Sequence, residues 1–443
     1  MSLPHIARWR ILEIGCGDAA NVLPLAVDYP EANIVGVDRA CAPIEYGRSM
    51  AHSLGVANLR LHHADLLDWK PDGEFDYIVA HGVYSWVPPE VRHRILDICA
   101  EALAPNGIAF ISYNALPGTH LRRYAWDLMK LHTRGLANPA DRIAAARSMA
   151  RTVFDCSQDG LHWPVLRDEM KSVLERSPHG LFHDDLASIN EALYLTDFVV
   201  QSERHGLQYL GDAQPQRDDV RGLPCQIEDW LGARQYGDFF AARRFRESLL
   251  VRSEIRIDRD PKYEYLADLF VASRVIPGDP QPDGTQKFEL SPTRTVTTNF
   301  VPARELLCRL AEIWPGSVPV RTLLGPNPEP DKVETVFRLF SGEAIELRTA
   351  PPLIAGTVSR RPCASRLARA QIQAEMNQIT TQRHQTVDLG DDTTRRLLLL
   401  LDGSRECPEL IDELERLGVP RTDAAAQIAT ALDRLHRINL FVS

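Results

Sequence analysis

Short apolar runs recur through the first part of the chain, spaced so that one helix fits between each pair. Ile11-Leu12-Glu13-Ile14, Asn33-Ile34-Val35-Gly36-Val37-Asp38, Leu59-Arg60-Leu61-His62-His63, Phe75-Asp76-Tyr77-Ile78-Val79-Ala80 and Ile108-Ala109-Phe110-Ile111-Ser112-Tyr113 read as strands. Between them, residues 42–54 read as a helix stopped by Gly55. Pro88-Pro89 opens another that carries Ile95, Leu96, Ile98, Cys99 and Leu103 on one face and ends at Pro105-Asn106-Gly107. Pro24 must fall in the first turn of the helix after strand one, which puts that helix's cap at Asp18 to Asn21. Strands alternating with helices predict an α/β fold with a doubly wound, Rossmann-like parallel sheet.

The pattern then changes. From Thr119 to about Glu175 strand signals vanish, and Leu121, Trp126, Met129, Ile143, Met149, Val153, Val165, Met170 and Val173 follow helical spacing. Gly206-Leu207-Gln208-Tyr209-Leu210-Gly211 and Glu247-Ser248-Leu249-Leu250-Val251-Arg252 return to strand character, as late antiparallel strands completing the sheet. Further on, strands are expected over 270–275, 287–290 and 295–298 around the loop Pro277 to Gly284, then helices over 303–314 and 333–340 on either side of a Pro-rich linker. Helices over 393–401, 408–417 and 423–437 and a strand over 439–442 make the end of this α+β C-terminal region winged-helix-like. The resulting division is 1–118, 119–180, 181–255, 256–350 and 351–443.

Composition narrows the class without naming it. An apolar fraction of 44% with 25% charged residues is that of an ordinary globular protein. A formal charge of −10 argues against a general nucleic-acid or anionic-membrane binder. The basic neighbourhood of Arg360, Arg361, Arg366 and Arg369 is read as a solvated face. Cys16, Cys41, Cys99, Cys156, Cys225, Cys308, Cys363 and Cys407 are scattered, with no metal-ligand spacing, and read as free thiols of a cytoplasmic protein; no metal is expected. The start Met1-Ser2-Leu3-Pro4-His5 has neither the basic nor the apolar region of a leader, and no membrane insertion is expected.

Gly15-Cys16-Gly17-Asp18-Ala19-Ala20 after the first strand fits G-x-G-x-x-A, so a nicotinamide or flavin dinucleotide is one reading. A dinucleotide brings a pyrophosphate to this turn, where Glu13 and Asp18 would set carboxylates beside an anion. S-adenosylmethionine has no phosphate and is cationic at both sulfur and ammonium, which suits them. Asp38 ends strand two at the spacing at which a carboxylate accepts from a ribose diol, and Arg39 follows it. Asp65-Leu66, after strand three, is placed to meet an adenine. His81-Gly82-Val83-Tyr84-Ser85-Trp86, after strand four, lies at the edge where a substrate approaches. Singly, Glu13 would be a solvated strand end, Asp65 a turn carboxylate, and Tyr84 and Trp86 packing aromatics.

This ordered set resembles the class I S-adenosylmethionine-dependent methyltransferases. Glu13 through Pro24, Tyr113-Asn114-Ala115-Leu116-Pro117-Gly118, Phe182-His183-Asp184-Asp185-Leu186 and Arg204-His205-Gly206-Leu207-Gln208-Tyr209-Leu210 are similar to bacterial methyltransferases with a methyltransferase regulatory domain, among them the rickettsial-type protein lysine methyltransferases. The resemblance implies methyl transfer to lysine of a protein substrate, a helical dimerisation region and a homodimer. It also implies cofactor contacts from Glu13, Gly15, Cys16, Gly17, Asp18, Asn21, Asp38, Arg39, Asp65, Leu66, His81, Gly82, Val83 and Trp86. Two departures stand out: Ala19-Ala20 replace the family's usual glycines, and about ten residues precede Ile11 where the family usually has a longer Tyr- and Pro-containing segment.

At neutral pH, reaching the reactive amine of a lysine costs about 4 kcal/mol, which a desolvating aromatic collar must offset. The candidates to act on it are His81, Tyr84, Trp86, Tyr113 and Asn114, with Tyr84 and Tyr113 cradling the amine; His183 and His205 are read as structural. A small-molecule methyltransferase and a non-catalytic cofactor-binding protein are the competing readings.

Overall fold

The computed structural model describes residues 8–156, 160, 162–214, 229–259, 262–291, 293–416, 418 and 420–442. Cys225, residues 1–7 and Leu417 lie outside the described residues, and with them the readings of the chain's start and of that thiol. Seven strands form the main sheet: β1 Arg10–Ile14, β2 Asn33–Asp38, β3 Leu59–His63, β4 Phe75–Ala80, β5 Leu103–Asn114, β6 Leu207–Asp212 and β7 Phe245–Arg252. Their order is β3-β2-β1-β4-β5-β7-β6, with β1 to β5 parallel and β7 antiparallel to both neighbours. Chain order reverses at β1, which pairs with β2 on one side and β4 on the other. The crevice at its carboxyl end is where ligands sit in such sheets.

The central strands β1 and β2 are apolar on both faces because helices cover both, as in parallel sheets generally, whereas the edge strand β3 exposes Arg60, His62 and His63. Leu12, Ile14, Val37, Ile78 and Ile111 join Leu96 and Ile98 of helix α3 (Pro89–Ala102) in one core. Helix α1 (Leu23–Asp28) and α2 (Cys41–Ser53) also pack on the sheet.

Several boundaries differ from the pattern-based expectation, each for a local reason. Pro24 does fall in the first turn of α1, but the cap is Val22 and has no side-chain bond. Asn21 is instead turned back onto Glu13, and Asp18 Oδ1 accepts from the Ala20 N–H. Pro105-Asn106-Gly107 does not end α3 but lies inside β5. A Cβ on Gly107 would come within 3.0 Å of the Phe75 and Asp76 carbonyls, so only glycine lets β5 bend where its register against β4 shifts. The strand expected over 270–275 stops at Ala272 and pairs with Val318–Pro319 and Glu346–Arg348 rather than with Gln286–Ser291. The terminal strand reduces to one bridge, Ala364 to Phe441, because Asn439 turns the chain with φ +60° just before it.

Helices α4 (Thr119–His132), α5 (Pro139–Asp155) and α6 (Trp163–Glu175) form the helical insertion around Trp126, Met129, Met170 and Val173. Leu121, part of the predicted stripe, is exposed. The insertion joins the sheet at Gly118, whose N–H donates to the Arg243 carbonyl; a Cβ there would overlap the Ala242 carbonyl.

The C-terminal module contains the three predicted helices, here Asp392–Leu400, Cys407–Arg416 and Arg421–Arg437. It also holds a helix, Arg366–Gln373, and a hairpin, Gln378–Thr380 with Thr386–Asp388, that the pattern did not show. In the basic neighbourhood Arg360, Arg361 and Arg366 are exposed, as read, and each also has a partner. Arg360 and Arg361 pair with Glu406, whereas Arg366 reaches across to the sheet domain and donates to the Leu54 and Val27 carbonyls.

Candidate active site

The glycine turn is built by backbone geometry that side chains disfavour. Gly15 and Gly17 have φ of +71° and +53°. A Cβ on Gly15 would stand 3.0 Å from Val83, so the turn after β1 is pressed against the segment after β4. Ala19 also has φ +64°, a conformation the family's usual glycine takes without strain and alanine does not.

Glu13 is buried, and its carboxylate receives one hydrogen bond, 2.8 Å from Asn21 Nδ2 to Oε1, while Oε2 has no partner. Burial raises its pKa to about 7; the Asn21 bond opposes this, and Asp18 and Asp38 add to it. A buried carboxylate with a free oxygen, flanked by two more carboxylates, fits a cationic ligand free of phosphate and disfavours a pyrophosphate. S-adenosylmethionine meets that requirement, and a dinucleotide does not.

Asp38 holds the turn from the next strand, accepting from Gly17 N at 2.8 Å and Ala40 N at 2.7 Å. Arg39 and Asp65 face each other at 3.5 Å across the ends of β2 and β3, and Asp65 Oδ1 also accepts from Leu67 N. Leu66 packs against the sheet core. Cys16 is buried, its thiol pushed well above its ordinary value by burial and by the Glu13 and Asp38 charges, so it fills space and is no nucleophile.

Beyond Val83 lies a cavity of about 380 Å³. Its sheet side is His81, Gly82, Trp86 and Asn114; its far wall is Arg122 and Trp126 of α4, Arg176, Asp184, and Arg244 with Phe245 at the start of β7. The wall is held by ion pairs, buried at Arg122 and partly exposed at Arg176 and Arg244. Arg122 binds Asp185 at 2.6 Å and Glu169 at 3.2 Å, Arg176 binds Asp184 at 2.8 Å, and Arg244 binds Glu169 at 2.6 Å. Trp126 is fixed by its Nε1–H, which donates to Asp185 at 2.6 Å. Asn114 is fixed through Asn190 at 2.8 Å. Glu247 shares a face of β7 with Phe245; burial raises its carboxyl above the ordinary value, opposed by His81.

The structure therefore brings His81, Gly82, Trp86 and Asn114 together but not Tyr84 and Tyr113. Those two rings are fully buried against Phe198, with hydroxyls turned to Gln201 and Ser248 at 3.3 Å each. They are core aromatics beneath the cavity floor, and neither lines it. His205 pairs with Asp97 at 2.7 Å and with His93, away from the cavity residues. Arg122, Trp126, Arg176, Asp184, Arg244 and Phe245 were missed as wall residues. Trp126 was visible only as part of a helical stripe, and Asp184 only within a family segment.

Comparison with known proteins agrees with this order of parts. Residues 11–107 match a family described as "Methyltransferase domain", 177–252 "Predicted methyltransferase regulatory domain", and 360–436 "PKMT, C-terminal winged helix domain". The uncharacterized protein RP028 of Rickettsia prowazekii is 33% identical over 210 residues, covering 47% of this chain and 84% of that protein. RP789 of the same organism is 34% identical over 290 residues, covering 63% of this chain; the matched part is about half of RP789, 52%. The structure of PKMT2 from Rickettsia typhi in complex with AdoHcy superimposes with a TM-score of 0.85 at 25% identity, over 100% of this chain and 96% of that one. The fold and the glycine turn define a class I methyltransferase. The chain carries the methyltransferase, regulatory and PKMT winged-helix domains that these models describe, and belongs to one family with RP028 of Rickettsia prowazekii.

Proposed function

We infer that the chain transfers methyl groups from S-adenosylmethionine to lysine side chains of a protein substrate. The observation that carries this is the cavity beyond Gly82, whose sheet side adjoins the glycine turn through Val83 and whose far wall sets Trp126, Phe245 and the partly exposed Asp184 among three arginines that are each paired with a carboxylate. The winged-helix match and the PKMT2 neighbour solved with AdoHcy support it. When bound, the cofactor supplies an electrophilic methyl group: a nitrogen–carbon bond forms as the sulfur–carbon bond breaks, and the nitrogen sheds a proton.

This chain's residues would do the rest. Glu13 faces the cofactor's positive end, with Asn21 holding one carboxylate oxygen. Asp38, with Arg39 and Asp65, borders the nucleoside side; Gly15, Cys16, Gly17, Asp18, Leu66, Gly82 and Val83 shape its bed. Trp86, Trp126 and Phe245 strip water from an entering ammonium, which lowers its pKa. His81 and Asn114 are the groups placed to orient the amine. The chain is divided at 118, 180, 255 and 350 into functional parts, and it acts in the cytoplasm as a homodimer through the helical insertion, where Leu121, Tyr124 and Leu131 of α4 are exposed.

The test is incubation with labelled S-adenosylmethionine and parallel sets of protein and small-molecule acceptors. Label on lysine of a protein is expected. Label confined to small molecules would overturn the acceptor, and no binding of S-adenosylhomocysteine would overturn the cofactor.

A further inference from the structure

Helix α1 carries the cofactor turn into the rest of the fold; Ala26 packs its inner side on the sheet core, but the helix is weak in itself. It is six residues long, has no side-chain cap, and carries no charged residue that would stabilise either end of its dipole. So short a helix is not stable by itself, and its position is set by what packs on it.

The packing on its outer side includes residues more than three hundred positions further along the chain. Leu367, in the first turn of the helix Arg366–Gln373, is buried in a cluster with Leu23 of α1 and Met50, Ala51 and Leu54 at the end of α2. Beside this plug, Arg366 donates through Nη1 to the Leu54 carbonyl at 3.3 Å and through Nη2 to the Val27 carbonyl at 3.4 Å, so one guanidinium serves the ends of both helices. On the other flank, His384 Nε2 lies 2.7 Å from Asp28 Oδ2, with both side chains largely buried. His384 holds φ +58° at the tip of the hairpin Gln378–Thr380 with Thr386–Asp388, which aims its ring at α1.

The inner side of the same two helices touches the turn. Leu23 is two residues from Asn21, whose amide fixes Glu13. In α2, Gly47 packs so closely on the turn that a Cβ would stand 2.6 Å from the Asp18 carbonyl. Displacement of α1 or α2 is therefore transmitted to Asp18, Asn21 and Glu13 with little slack.

We propose that the winged-helix module braces the cofactor turn, and that Leu367, Arg366 and His384 are positioning residues for cofactor binding although none of them reaches the cofactor crevice. This rests on the cofactor reading above. It gives the module a task within its own chain, since docking of the module and filling of the turn favour the same placement of α1 and each strengthens the other.

The experiment compares the full chain with Arg366→Ala/His384→Ala, with His384→Gln, and with Leu414→Ala, which weakens the module's own core without touching α1. S-adenosylhomocysteine affinity is read by calorimetry and amide exchange is followed at Ala26 to Tyr29 in the cofactor-free proteins. The double variant is expected to raise Kd roughly tenfold, within the usual range of coupling between sites, and to speed exchange at α1. It should raise the cofactor KM with kcat preserved. His384→Gln keeps a donor to Asp28 and should retain most of the affinity. Leu414→Ala should lower thermal stability and leave Kd unchanged. A Kd for the double variant within twofold of wild type, or an equal rise in Leu414→Ala, overturns the brace while the cofactor reading stands. Failure of the wild-type chain to bind overturns the reading itself and the brace with it.

Discussion

The two ends of the cleft handle charge in opposite ways. At the glycine turn a buried carboxylate, Glu13, keeps one oxygen without a partner and has Asp18 and Asp38 for neighbours. At the far wall Arg122, Arg176 and Arg244 are matched by Glu169, Asp184 and Asp185 in contacts of 2.6 to 3.4 Å. One end is short of a cation and the other is closed upon itself. A ligand is therefore needed to complete the first, whereas the second provides shape, with Trp126 and Arg244 held in place by their ion pairs and hydrogen bonds. The lesson is that a site's ligand is best read where the protein leaves a charge unanswered.

The sharpest break of this comparison is at the closed end. Arg122→Ala leaves Asp185 and Glu169 buried without their shared partner and should cost about 3–5 kcal/mol in urea unfolding. A loss under about 1 kcal/mol would mean that the wall is not held by these pairs.

At the open end the effect is nearly as large but depends on pH. The folded-state pKa of Glu13, about 7, is above its ordinary value of 4.5. The unfolded chain gives up this proton first, so the stability it contributes is complete below pH 4.5 and is lost as pH rises to about 7. The loss amounts to roughly 3 kcal/mol. Glu13→Gln should flatten unfolding free energy over that interval. Cofactor binding has the opposite slope: a cation prefers the ionised carboxylate, so wild-type affinity should tighten from pH 6 to 8 and the variant's should not. Parallel pH profiles in wild type and variant would remove Glu13 from the cofactor's surroundings.

A smaller effect separates wall from floor. Tyr84→Phe removes one hydrogen bond to Gln201 and should cost about 1 kcal/mol of stability. Turnover should hold, whereas Trp86→Ala, on the wall, should depress it; a large loss of turnover in Tyr84→Phe would return that ring to the acceptor. Smallest of all, Ala19→Gly relieves a left-handed alanine and should stabilise by no more than about 1 kcal/mol in thermal unfolding, the loss of a buried methyl group offsetting part of the gain.

The sheet was legible in the sequence because its central strands, such as β1 and β2, are buried over nearly their whole length and read as short apolar runs, and because glycines such as Gly15 and Gly55 mark where elements stop. The turn's chemistry was legible for a related reason: Glu13, Gly15, Gly17 and Asp38 lie within one βαβ unit, so their spacing in sequence fixes their spacing in space. The acceptor wall was not. It is assembled from α4, α6, the segment at Asp184 and the start of β7, brought together by packing that no local spacing encodes. The same gap explains Tyr84 and Tyr113. An aromatic at or just after the end of a strand has the same signature whether it turns into the cleft or against Phe198, and only the position of the helix Leu195–Arg204 decides which. The partners of Arg366 were hidden likewise, since they are the carbonyls of Val27 and Leu54, and backbone acceptors leave no trace in composition.

Gly118 carries a final consequence. One α-hydrogen, standing where any other residue has its Cβ, is all that separates the root of α4 from the carbonyl of Ala242, and the insertion and β7 converge there on one wall of the cavity. Change at this position cannot be gradual. A screen of all substitutions should give one tolerated residue rather than a graded series, and homologous chains that part the insertion from the sheet would have to alter both strands of that crossing together.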